Sequence, residues 1–151
     1  MQRYIVPSFA AAAVIAVSVA VASGSDKQAS ASKTTQAQSK TVSVEQVDNA
    51  PRGASAGDLL VFRNRLTRAG KALGSLEVAC TFVKLEEDYA CHATTFLPGG
   101  RLALSGALSL DRRTNVLPIT GGTGRYRRAR GTLTARQTGD ESSILRFDIA
   151  P

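Results

Sequence analysis

Leu73-Gly74-Ser75-Leu76-Glu77-Val78-Ala79-Cys80-Thr81-Phe82-Val83-Lys84 is the stretch on which the fold turns. Leu76, Val78, Cys80 and Phe82 occupy every second position, with polar or small residues between them. Side chains alternate sides in a strand and recur every three or four residues in a helix, so this spacing predicts a strand. A second alternating run, 88–97, follows after a short charged break. With Lys84–Glu87 as the loop near Leu85-Glu86, the two runs form a hairpin. Val83 then faces Asp88, Phe82 faces Tyr89, and Cys80 faces Cys91. Directly opposed residues share a face with Cβ atoms about 4.5–5.5 Å apart, close enough for a disulfide after a small approach.

The same period continues on both sides. Val42 and Val44 alternate with polar neighbours and read as an inward set. Leu60, Phe62, Asn64 and Leu66 share one face, with Arg63 and Arg65 on the other. Leu102, Leu104, Leu108 and Leu110 follow the Pro98-Gly99-Gly100 turn, and Leu145, Phe147 and Ile149 close the chain. Breakers at Gly70, Gly99-Gly100, Gly121-Gly122 and Gly139-Asp140 fall between the runs. The reading is all-β, with eight strands at about 41–48, 58–67, 73–84, 88–97, 101–110, 115–119, 125–138 and 142–150. Short connections make neighbours antiparallel. Eight such strands either split into a sandwich or close into a barrel, and closure removes exposed edges. A barrel of this size has an interior that side chains fill, or that holds one small ligand.

The residues before Thr41 read differently. Arg3 precedes the apolar run Ala10–Ala22, which ends in Ala20-Val21-Ala22, a small-x-small cleavage pattern. Residues 1–22 are the expected export signal, so the mature chain would have no membrane-spanning helix. Residues 23–40, rich in Ser, Ala, Gln, Lys and Thr without a large apolar side chain, are the expected flexible tether. The barrel domain is then 41–151. An exported chain meets an oxidising compartment, where Cys80 and Cys91 pair rather than stay free.

Composition removes other classes. The chain has 151 residues, of which 43% are hydrophobic, and this size allows one domain. One His and two Cys are too few and too badly spaced for a zinc site, so no metal is expected. His92 falls on the face opposite Cys91, which disfavours a Cys–His nucleophile pair. Lys and Arg number 19 against 12 Asp and Glu, a net charge of +7. Arg112, Arg113, Arg125, Arg127, Arg128, Arg130 and Arg136 concentrate this charge in the C-terminal half. No stacking aromatics or groove-reading element accompany them, so nucleic acid is not an expected partner. A solvated rim is the simpler reading, with a ligand carboxylate or an anionic envelope polymer as alternatives. Gly121-Gly122-Thr123-Gly124 lacks the helix and lysine of a phosphate loop and reads as a tight turn.

The ordered blocks over 57–137 resemble the allene oxide cyclase barrel, the fold shared with dirigent proteins. Gly57-Asp58-Leu59-Leu60-Val61-Phe62-Arg63-Asn64 is similar to the family's GDLVPFTN block. Gly74 and Cys80 resemble its GITAGxC block, Pro118–Gly124 its AITGGxG block, and Gly131 follows at the family spacing. The resemblance implies a closed antiparallel eight-stranded barrel that binds a small apolar molecule, needs no cofactor and assembles as a homotrimer. It implies that Asn64 holds a water in the pocket, that Cys80 lines it, and that Glu45 is the catalytic carboxylate. Leu60, Phe62 and Phe82, on the same apolar faces, join Cys80 as the expected substrate lining. A Cys80–Cys91 bridge would remove the free thiol. Alternation with Val42 and Val44 sends Glu45 outward. The expected function is an exported cyclase-like or dirigent-like barrel that guides a cyclisation or isomerisation. The alternative is a non-enzymatic extracellular ligand-binding or envelope-associated barrel. Glu45 inward beside Asn64 favours the first, and Glu45 outward favours the second.

Overall fold

The computed structural model describes residues 32–49, 52–53, 55–84, 88–109 and 111–150. The expected signal at 1–22, the first part of the tether, the Leu85-Glu86 turn and Leu110 lie outside them. Eight strands follow one another: β1 Lys33–Val47, β2 Leu59–Arg68, β3 Lys71–Lys84, β4 Asp88–Leu97, β5 Gly100–Ser109, β6 Thr114–Gly122, β7 Arg130–Gly139 and β8 Ser142–Ala150. Each pairs antiparallel with the next, and β8 pairs with β1, so the sheet is a closed up-and-down barrel. Closure is the alternative that the alternation left open against a sandwich.

β1 begins earlier than expected. Lys33–Lys40, read as tether, pairs along β8 from Lys33↔Ile149 to Lys40↔Ser142. Ala37 and Ser39 from this polar run are buried. Burial of two small side chains plus a full ladder of backbone hydrogen bonds holds a segment that has no large apolar residue. A register irregularity between Thr41 and Ser43 then shifts the parity of the strand. Thr41 pairs with Asn64 and Val44 with Phe62, while Val42 sits at the irregularity, 49% exposed. The expected inward pair Val42 and Val44 is therefore corrected to Thr41 and Val44. An extra residue in one strand reverses the side-chain alternation beyond it.

The β3–β4 hairpin forms as read at its centre, with Phe82↔Tyr89 and Cys80↔Cys91 opposed. Nearer the turn, Lys84 rather than Val83 faces Asp88. Cys80 and Cys91 are joined in a disulfide with Cα atoms 4.1 Å apart. Cys91 also faces Gly106 on β5, whose missing side chain leaves room beside the bridge, and Leu117 from β6 packs against that gap.

The segment 125–129 is not strand. Gly124–Tyr126 is a single 3-10 turn, and Ala129 donates its N–H to the Tyr126 carbonyl. Ala129 is buried and Tyr126 packs on the core. This turn closes the barrel end formed by the β2–β3, β4–β5 and β6–β7 connections. Gly124 takes φ +59°, and a Cβ there would lie 2.2 Å from the Gly99 carbonyl oxygen, so a left-handed residue without a side chain is required. Gly121 and Gly122 belong to β6. Above the closed end, Leu66, Leu102, Leu133 and Phe147 fill the interior.

The opposite end is organised by Asp58, which is fully buried. Its carboxylate accepts the N–H of Asn49 at 3.0 Å, the N–H of Ser55 at 2.8 Å and the Ser55 hydroxyl at 3.1 Å. The Asn49 and Ser55 amides hold it below the usual carboxylate range, with the Ser55 hydroxyl helping and burial opposing. Its backbone carbonyl accepts the Phe82 N–H while Gly57 donates to the Phe82 carbonyl, tying the β1–β2 connection to β3.

Two outcomes follow. Thiol titration of denatured, unreduced protein finds no free thiol, and reduction lowers stability by about 2–3 kcal/mol; two reactive thiols would contradict the bridge. Asp58 is depressed in the folded state, so its contribution is complete above the unfolded value of about 3.9 and is lost as pH falls through the folded value. Asp58→Asn melts several degrees below wild type at neutral pH, and melts taken down the acid limb show that gap narrowing below about pH 4.

Candidate functional site

Inward-facing residues between the filled half of the barrel and the Asp58 end leave a cavity of about 300 Å³. Its deeper wall is apolar: Leu60, Phe62, Leu76, Val78, Leu117, Leu133 and Leu145. Thr41 and Val44 from β1 form one side near the opening. Val44 faces this space yet is 63% exposed, because the mouth is open above it. Arg112 and Arg113, from the β5–β6 connection, line the rim together with Asp140 and Glu141 from the β7–β8 turn.

Asn64 is the polar group set into the wall. It is 6% exposed and donates from Nδ2 to the Ser39 hydroxyl at 2.9 Å. Its Oδ1 is buried and has no protein partner. A buried carbonyl oxygen left unpaired is costly, and the residue that carries it lines the cavity. Thr95 also has a buried hydroxyl without a partner, but it lies in the filled half and does not reach the cavity.

The structure brings together some of the residues picked from sequence and separates others. Leu60, Phe62 and Asn64 line one cavity. Cys80 and Phe82 face inward but lie outside its lining. Cys80 is committed to the disulfide, and the Phe82 ring packs on Tyr89 with centroids 4.5 Å apart. Glu45 lies on the side that alternation gave it, away from the pocket position that the family resemblance implies. It pairs with Val61 on the outer face and is exposed, with the sheet between it and Asn64. Alternation sets this placement, since Val44 and Gln46 take the inward positions.

Glu45 borders a second concavity, about 630 Å³, on the outside of the barrel. Short side chains (Ser43, Ala79, Ala103, Ser105) and the exposed Arg63–Glu77 ion pair make up much of its floor. Its lining is polar and apolar in equal measure, whereas the interior cavity is predominantly apolar, which makes the interior the better candidate for a small apolar molecule. Sequence reading missed Ser39, Thr41 and Val44 as site residues. Ser39 was hidden in the presumed tether, and Thr41 by the parity shift. Arg112 and Arg113 were visible as a basic pair, but only the closed topology sets them at the mouth.

A family model described as allene oxide cyclase barrel like domain matches residues 38–150. Among solved structures, a pyocyanin demethylase superposes with a TM-score of 0.71 at 24% identity, covering 78% of this chain and 100% of that one. AbnU, an exo-specific intermolecular Diels-Alderase, gives 0.65 at 15% identity, covering 79% and 98%. A pterocarpan synthase dirigent protein gives 0.62 at 20% identity, covering 81% and 95%. At these identities the likeness is one of fold. No curated protein sequence matches the chain.

Asn64→Leu removes the unpaired acceptor and its bond to Ser39. The variant remains a folded barrel by circular dichroism. It binds a ligand that donates to Oδ1 about tenfold more weakly, one hydrogen bond's worth, as read by isothermal titration. Wild-type affinity for such a ligand would remove Asn64 from the site.

Proposed function

Because the chain belongs to the allene oxide cyclase barrel-like family, we propose that it binds a small, mostly apolar molecule in the interior cavity and guides its cyclisation or isomerisation. The carrying observation is the apolar cavity with one unpaired acceptor, Asn64 Oδ1, in its wall. Leu60, Phe62, Leu117, Leu133 and Leu145 would select a folded ligand conformer by shape. Asn64 would fix its rotation by accepting an O–H or N–H, directly or through one water. Holding reacting atoms at short range converts conformational entropy into rate, and it requires no redox group. Arg112, Arg113, Asp140 and Glu141 would orient polar substituents at the rim. The Diels-Alderase description of the neighbouring AbnU structure supports this reading by fold alone.

A second reading, binding without chemistry, is favoured by one observation. Glu45, the carboxylate that the family resemblance nominates, is outside the barrel. The apolar cavity wall then offers no carboxylate for acid–base work, and any chemistry would rest on shape, Asn64 and the rim. The disulfide and the apolar N-terminal run support work outside the cytoplasm in either case. The resemblance also favours a trimer.

Native mass spectrometry of the protein purified from the organism that makes it tests both readings. The expected result is a bound apolar molecule. Val44→Trp, placed at the exposed mouth, loses that mass while keeping its melting temperature within a few degrees. A Trp variant that retains the ligand would locate binding elsewhere. Conversion of the ligand's precursor by wild type, and not by Val44→Trp, separates catalysis from storage.

A further inference from the structure

The barrel is electrically polarised along its axis. Antiparallel order places the start of β1, the β2–β3 turn, the start of β5 and the 124–130 segment at one pole. Those segments carry Lys33, Arg68, Lys71, Arg101, Arg125, Arg127, Arg128 and Arg130 and contain no Asp or Glu; the end of β8, which reaches the same pole, adds Asp148, whose carboxylate is engaged by Thr34 and Arg146. All eight residues are exposed. Among the described residues, none of the eight pairs with a carboxylate. Several are held rather than free to collapse inward. The Arg101 guanidinium lies over the Phe96 ring at 4.9 Å, Arg125 is 6.0 Å from the Tyr126 centroid, and Arg130 donates to the Ala129 carbonyl at 2.8 Å. The opposite pole, where the cavity opens, carries Asp48, Asp58, Asp88, Asp111, Asp140 and Glu141 beside Arg52, Arg112 and Arg113.

We propose that the closed cationic pole is a docking surface for a linear anionic polymer bearing phosphate or carboxylate groups. The charge is concentrated where nothing in the fold requires it. Like charges at this density repel one another, and a polyanion relieves that repulsion while releasing its own counterions. Six of the eight groups are guanidiniums, which grip phosphate and carboxylate oxygens in pairs. A polymer fits better than a bilayer. Binding in a membrane interface calls for apolar or aromatic side chains that enter it, and the exposed large apolar residues among the described ones, Val42, Val44, Val47, Val83 and Val116, are absent from the turns of this pole. Docking through this pole leaves the mouth pointing away from the polymer, so the cavity stays accessible. This inference is independent of what the cavity holds.

The test uses the mature chain with long-chain polyphosphate and poly-L-glutamate as probes. Both are expected to bind, with affinity falling roughly 50-fold between about 50 and 200 mM salt, the slope for about four released counterions. Lys71→Gln/Arg127→Gln/Arg128→Gln lowers affinity at least tenfold. Arg52→Gln/Arg65→Gln/Arg136→Gln removes the same charge elsewhere and keeps affinity within about threefold. Circular dichroism confirms that both variants are folded, and a Lys71→Arg/Arg127→Lys/Arg128→Lys variant restores binding if the first triple does not fold. Equal losses in the two Gln triples would show attraction by net charge alone and overturn the assignment. Tighter binding to phosphatidylglycerol vesicles than to either polymer would overturn the choice of partner.

Discussion

Everything in this molecule depends on the seam between β1 and β8. A sheet with free edges exposes unpaired N–H and C=O groups and invites other strands. Here the first half of β1 serves β8 and the second half serves β2, with an overlap at Gln38–Lys40. One long strand thus does the work of closure. Thr34 reinforces the seam by donating to Asp148 at 2.7 Å. That contact holds the Asp148 carboxylate below its ordinary range, with Arg146 adding to it and burial opposing. Closure also creates the site, because Ser39 reaches Asn64 only when the early part of β1 is in place.

The interior is divided lengthwise, and the division explains how one small barrel can be both stable and receptive. The half near the 3-10 turn is filled by Leu66, Leu102, Leu133 and Phe147. The other half is stiffened at its margins instead of its centre. The Cys80–Cys91 bridge with the Phe82–Tyr89 contact stands on one side, and the Asp58 hydrogen bonds fix the β1–β2 connection. Between them the space is not filled, and its one buried polar acceptor is left unpaired. A packed core resists such voids, so the contrast between the filled half and the open one is a marked feature of this barrel.

Much of this was legible in the chain because period-two alternation is a direct readout of strand geometry. The β3–β4 register and the opposition of Cys80 to Cys91 follow from it, as do the inward positions of Leu60, Phe62 and Asn64. What was not legible has specific causes. Lys33–Lys40 carries no large apolar residue, so its strand character comes from pairing with β8, a partner more than a hundred residues away. The extra residue near Val42 reverses parity without leaving a Gly or Pro to mark it. Arg125–Ala129 reads as a polar strand but is bent by backbone contacts to Gly99 and Tyr126. For Glu45 the alternation and the motif pointed to opposite faces, and the strand follows the alternation.

The same seam has a consequence in time. The pairings of Lys33 with Ile149 and Thr34 with Asp148 join the two extremes of the described chain. Contacts of such sequence separation form late and slow folding, since the intervening loop entropy must be overcome first. During synthesis, β1 to β7 emerge before their ring can close, with both sheet edges unsatisfied until the nine residues of β8 arrive. The barrel therefore matures from its C-terminus, and the cell must keep the incomplete sheet from finding a neighbour's edge before its own.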